Sequence, residues 1–192
     1  MKKKIFYILV LLLLVVANAV ALAEQKTYRI GPGDVLEISV WGHQTLSRQV
    51  IVPPDGVVSF PLIGDIPATN LTVTDLRKIV TEKLSEYVPD VTVTVMILQF
   101  NSLRAYVIGK VSKPGEFPIT METSVIQILS MAGGLSPFAS RNKIFILRQK
   151  NGETVRIPFD YWQMLKGENL EQNILLQRGD VVVVPGFRGS RQ

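Results

Sequence analysis

The chain has no cysteine and only one histidine in 192 residues. The first absence excludes disulfides and thiolate-bound metal, and it excludes a lipid anchor, which needs a cysteine after the leader. With His43 alone, no His-rich metal set can be built, and a Ser-His-Asp triad would have to be assembled around that one residue. His43 follows Gly42 at the end of a predicted strand, an ordinary place for a loop residue. A phosphate-cradling loop is also absent. "GPGD" lacks the spacing, and "AGGLSPF" follows a predicted helix, whereas a phosphate cradle precedes one. No metal or cofactor is therefore expected.

Charge of one sign is scarce once the first residues are set aside. The chain carries 21 Lys+Arg against 16 Asp+Glu, and three of those lysines, Lys2, Lys3 and Lys4, sit at the very start. The remaining residues make a mixed, nearly neutral surface without the basic stripe that nucleic acid requires, so no nucleic-acid partner is expected. Only one long apolar run exists, Ile5–Val16. Lys2–Lys4 precede it and the small-x-small site Ala21-Leu22-Ala23 lies beyond it, the plan of a secretory signal over residues 1–23 cut before Glu24. The run is too short to span about 30 Å of hydrocarbon as a helix. The mature chain is expected to be exported.

Short strands and turn signals fill the remainder. Val35–Trp41 alternates, with Leu36, Ile38 and Val40 on one face. Gln49–Val52 and Val57–Phe60 flank Pro54, Asp55 and Gly56, which predicts a hairpin loop. Thr72 with Asp75 forms a capping-box variant ahead of Leu76, Ile79, Val80 and Leu84 at helical spacing. Val91–Leu98 returns to period two. A second unit starts near Ser102: a strand at Leu103–Ile108, a turn at Pro114-Gly115, and a short helix opened by Ser124 and Gln127 and stopped by Gly133-Gly134. Asn151-Gly152 then marks a hairpin between Ile144–Gln149 and Glu153–Ile157, and Val181–Val184 closes the chain's strands. The fold class is α+β, two small strand-rich units with one main helix each, over residues 24–101 and 102–187, and a short tail at 188–192.

One device is used twice. "IGPGDVLEISVWG" at Ile30–Gly42 and "LLQRGDVVVVPG" at Leu175–Gly186 both place Gly-Asp directly before an apolar run. Glycine frees the backbone at a turn and aspartate accepts from nearby amides, so these are marks of fold punctuation. Paired carboxylates capable of hydrolysis exist on paper (Asp34 with Glu37, Asp55 with Asp65, Asp160 with Glu168). Each has a simpler role as turn, strand or cap residue, so no catalytic residue is expected. Trp41 and Trp162 are the candidate sugar contacts.

"YRIGPGDVLEISVWG", then "VPPDGVVSFPLIGDIPATNLTVTDLRKIVTEKL" and "VTVTV", resemble the N-terminal motif of the polysaccharide biosynthesis/export proteins. "AYVIGKVSKPGEFPITMETSVIQILSMAGGLSPFAS" resembles the soluble-ligand-binding β-grasp domain that comes after it there. Gly31, Pro32, Gly33, Asp34, Pro54, Asp55, Gly56, Pro61 and Gly64 sit where the family pattern puts them, as do Gly109, Pro114, Gly115, Gly133, Gly134, Gly179 and Asp180. The resemblance implies a homo-oligomeric ring around a passage for polysaccharide, docked to an inner-membrane co-polymerase. Well-known members are lipoproteins, end in a membrane-spanning amphipathic helix, and typically carry more than one β-grasp repeat. This chain has no cysteine and one such repeat, and only Gly186–Gln192 come after Pro185, where about 20 helical residues would be needed to span. A separate outer-membrane pore protein, such as a β-barrel, is therefore expected.

Overall fold

The structure, a computed structural model, describes residues 27–186. The expected leader and the 188–192 tail lie outside the described residues. Strand β1 (Val35–Val40) alternates as its sequence requires, with Leu36, Ile38 and Val40 buried. It is the middle strand of an antiparallel sheet, between β2 (Arg48–Ile51) and β5 (Val93–Gln99). β3 (Val57–Phe60) and β4 (Gly64–Pro67) form a separate two-stranded sheet. Helix α1 (Val73–Leu84) starts as expected: Thr72 Oγ1 accepts from Asp75 N at 3.1 Å, and Thr72 N donates to Asp75 Oδ2 at 3.2 Å. Its Leu76, Val80 and Leu84 share one core with Leu36, Ile38, Val95, Phe60 and Ile66.

The second unit has its own core. β6 (Arg104–Gly109), β7 (Gly115–Pro118), β8 (Ile144–Lys150), β9 (Glu153–Phe159) and β10 (Val181–Val184) make one sheet in the order β7-β6-β10-β8-β9. Helix α2 (Val125–Met131) packs Val125, Ile128 and Leu129 against it, and a short helix α3 (Tyr161–Leu165) comes after β9. β10 is central, parallel to β6 and antiparallel to β8. Val182 and Val184 enter the core, while Val181 and Val183 are half-buried on the other face beside the exposed Tyr106 and Ile108. Asn151 (φ 53°) and Gly152 (φ 83°) close the β8–β9 hairpin with two left-handed residues, as a type I′ turn demands.

The hairpin expected over Pro54, Asp55 and Gly56 is not formed. β2 pairs with β1, and β3 pairs with β4. Val52 is held to the first sheet by Val52 N to Asp34 O (2.9 Å) and Gly33 N to Val52 O (2.8 Å), so the strand cannot fold back on its successor. Gly56 instead accepts from Ala68 N at 2.8 Å and starts the smaller sheet. Strand β4 lies inside "FPLIGDIPATN", a segment interrupted by prolines and a glycine. Pro67 is tolerated because β4 is an edge with a single partner.

At the end of β6, Gly109 has φ 96°, and a Cβ there would fall on the main-chain carbonyl of Val184 in β10. Gly109→Ala is expected to cost about 2 kcal/mol or more, from left-handed strain plus displacement of a neighbouring strand. Denaturant unfolding reads this, and an unchanged midpoint would show that the β6–β10 pair yields freely.

Candidate functional site

The two Gly-Asp motifs build the same turn. In Gly31-Pro32-Gly33-Asp34, Asp34 N donates to Gly31 O (3.2 Å) and Gly31 N donates back to Asp34 Oδ2 (2.8 Å). In Gln177-Arg178-Gly179-Asp180, the matching distances are 3.1 and 2.8 Å. Gly33 (φ 90°) and Gly179 (φ 80°) occupy the third position, which in a type II turn requires positive φ. Both aspartates are buried, and each has further partners. Asp34 Oδ1 accepts from Ser102 N at 2.8 Å, while its Oδ2 accepts from Ser102 Oγ at 3.0 Å and Tyr28 Oη at 2.5 Å. Asp180 receives the Arg148 guanidinium, Nη2 at 2.6 Å and Nε at 2.9 Å.

The turns also meet. Arg178 Nη2 donates to Arg29 O at 2.6 Å, and its guanidinium occupies the space where a side chain on Gly31 would begin. Asn101 Nδ2 donates to Gly33 O at 3.0 Å, and Gly179 N donates to Arg104 O at 2.8 Å. The segment 101–104 is thus clasped by the first turn on one side and the second on the other. Burial, and then the hydrogen bond to the Asp34 carboxylate, push the Tyr28 phenol up to about 12 from its ordinary 10.0. Above pH 10 the unfolded chain loses this proton before the folded one, so stability falls as pH rises from about 10 to about 12. Tyr28→Phe is expected to remove that fall. Unfolding midpoints across pH 9 to 12, roughly the span of tyrosine titration, read it, and a parallel decline in both proteins would contradict it.

The remaining motif residues lie apart from this junction. Pro54 and Asp55 are in the loop before β3, where Asp55 Oδ1 accepts from Val57 N at 3.1 Å. Pro114 and Gly115 lead into β7, and Gly133 and Gly134 end α2, with Ser112 Oγ donating to Gly133 O at 2.8 Å. His43 is exposed, and Asp160 caps α3 through Trp162 N and Gln163 N.

The two candidate tryptophans differ in their surroundings. Trp162 lies beneath two cations, with Arg141 Cζ at 5.8 Å and Lys166 Nζ at 5.9 Å from its ring centre. Trp41, just past β1, is 84% exposed. Trp41 N donates to Thr92 O at 2.9 Å, and His43 N to Val40 O at 3.1 Å, which fixes the main chain beneath the indole. It borders an open groove of about 570 Å³ lined by Ser39, Val40, Trp41, Gly42, Gln44, Thr92 and Thr94. Ser39 and Thr94 face one another across the β1–β5 pair. Among the described residues, no cluster of three metal-ligating side chains occurs. Nor is any helix among them long and apolar enough to cross a membrane. Sequence reading missed Tyr28, Ser102, Arg148, Arg178 and the groove's hydroxyls. Period-two alternation does place Ser39 and Thr94 on the outward face, a signal that was there to read.

Two family models match this chain in sequence. Polysaccharide biosynthesis/export protein covers residues 22–98, and SLBB domain covers residues 103–184. The chain thus carries the polysaccharide biosynthesis/export match over its first unit and the SLBB match over its second. Among curated proteins it is similar to the EPS I polysaccharide export outer membrane protein EpsA of Ralstonia nicotianae, 30% identical over 88% of this chain and 50% of EpsA. It is 28% identical to the polysialic acid transport protein KpsD of Escherichia coli, over 86% of this chain and 28% of KpsD. The capsule polysaccharide export outer membrane protein CtrA of Neisseria meningitidis is 27% identical, over 79% of this chain and 42% of CtrA. The chain therefore spans half or less of these relatives' length, and they are export and transport proteins by name. The α+β class expected from the sequence is what the structure has.

Proposed function

We propose that this chain is a periplasmic subunit of a capsule or exopolysaccharide export machine. In this reading it is exported by its leader and works as a ring-like conduit or adaptor for polysaccharide bound for the outer membrane. Its partners are an inner-membrane polysaccharide co-polymerase and a separate outer-membrane pore protein, and none of its residues is catalytic. The observation that carries the reading is the succession of the two family matches on one chain. A division at residues 24–101 and 102–187 is supported by the two separate cores.

A ring needs heterologous contacts that close on themselves, and a free strand edge is a natural surface for one. Because Trp41 N bonds Thr92 O, alternation turns the main-chain groups of Val93, Val95 and Ile97 away from β1, toward the open side of β5. β5 has seven residues, none charged and none proline. The other edges of the two larger sheets are blunted: Arg48 in β2, Pro118 in β7, and Glu153, Arg156 and Pro158 in β9.

The second reading is a monomeric periplasmic saccharide-binding module, which the groove beside Trp41 favours. Light scattering on the purified chain separates the two. A mass of several chains supports the ring, and a strictly single-chain mass at high concentration supports the module. Incubation with the cell's own polysaccharide is expected to leave chain length unchanged; new reducing ends would overturn the assignment of no catalysis.

A further inference from the structure

We infer that the Trp41 groove is a subsite for an uncharged pyranose segment of the exported polymer, with the indole as stacking platform. This rests on the export reading and adds to it the site and the chemistry of contact. An indole 84% in water is a large apolar face without cover on a chain that buries two substantial hydrophobic cores. Its neighbours are three hydroxyls (Ser39, Thr92, Thr94) and one amide (Gln44), and no ionisable group lines the groove. That set matches a sugar ring: the C–H face packs on the indole while the hydroxyls exchange hydrogen bonds with the rim. A carboxylated residue would find no counter-charge here, so the contact favours neutral units. The groove is open and borders the exposed indole, so an internal stretch of a long chain can lie across it and move on.

Trp162 supplies the contrast. Arg141 and Lys166 already lie over its ring, so a sugar stacking there would have to displace a cation. The two tryptophans are therefore assigned different roles, which allows each to control for the other.

The test uses the purified chain and a partial acid hydrolysate of the cell's own surface polysaccharide, split by anion exchange into neutral and acidic oligomers. With Trp162→Phe, Trp41 is the only indole, and its emission is expected to shift saturably with the neutral pool. By equilibrium dialysis, Trp41→Ala is expected to raise the neutral-pool Kd about tenfold or more, the loss of one aromatic stack. Trp41→Phe should stay within about threefold of the original, since an aromatic face remains, and Trp162→Phe should leave binding unchanged. Circular dichroism checks that the Trp41 variants fold, as their exposed position requires. Binding confined to the acidic pool, binding indifferent to Trp41→Ala, or no binding by either pool would each overturn the subsite. None of these outcomes touches the export reading, which is decided by polysaccharide export in cells.

Discussion

Asp180→Ala is expected to lower stability by about 3–5 kcal/mol, the range for removing one partner of a buried ion pair. Asp180 is 1% exposed, and the Arg148 side chain is 15% exposed. The carboxylate accepts from Arg148 Nη2 at 2.6 Å, Arg148 Nε at 2.9 Å and Gln177 N at 2.8 Å. After truncation the guanidinium keeps only its bond to Leu175 O (2.9 Å) and remains largely buried with its charge uncompensated. The turn that feeds β10 into the centre of the five-stranded sheet loses its side-chain bond as well. Arg148→Met with Asp180→Leu removes both charges together and is expected to be milder than Asp180→Ala, since no charge stays buried without its partner and only the neutral groups Gln177 N and Leu175 O lose a bond. Urea unfolding of the single and double variants measures this, and additive losses would show that the pair is not coupled.

Asp34→Ala is the second large effect. The Asp34 carboxylate accepts four hydrogen bonds, from Gly31 N, Tyr28 Oη, Ser102 N and Ser102 Oγ. Bonds to a charged acceptor are worth about 1.5–3 kcal/mol each, and buried donors left without a partner add to the loss. Reorientation of the two hydroxyls offsets part of it, and a net cost of about 3–5 kcal/mol is expected. The consequence extends beyond magnitude. Asp34 belongs to the strand entry of one core and Ser102 to the entry of the other, so losing the carboxylate should loosen the units from one another. Thermal unfolding that separates into two transitions is the expected signature. A single transition at the original midpoint would mean that Asp34 does not couple them.

These two aspartates also mark how far local sequence reading reached. Gly-Asp before an apolar run identified the turns, because turn chemistry depends on residues within a few positions. That the turns clasp one segment, through Arg178 to Arg29 and Asp34 to Ser102, depends on residues 149 and 68 positions apart, which no local pattern encodes. The same limit explains the strands. Asn151-Gly152 was legible as a hairpin because its two left-handed residues enforce one locally. The Pro54-Asp55-Gly56 loop was not, because Val52 is held by Asp34 in a different sheet. Trp41 and Trp162 are equivalent as letters. They differ only once the fold brings Arg141 and Lys166 over one ring and leaves the other bare.

The separation of roles between the two tryptophans bears on how such a subunit would handle a polymer. A conduit must touch its cargo without retaining it, and an open, uncharged groove with one aromatic face gives weak contacts that are easily exchanged along a repeating chain. Structural rigidity would come from the buried carboxylates at the clasp, and contact chemistry from the outward face of the first sheet.

The measurement that tests export most directly is polysaccharide in a strain lacking this chain, with surface and periplasmic fractions quantified separately. An export subunit predicts loss of polymer at the surface with polymer retained inside the cell envelope, and recovery when the intact chain is restored. Unchanged surface polymer would contradict it.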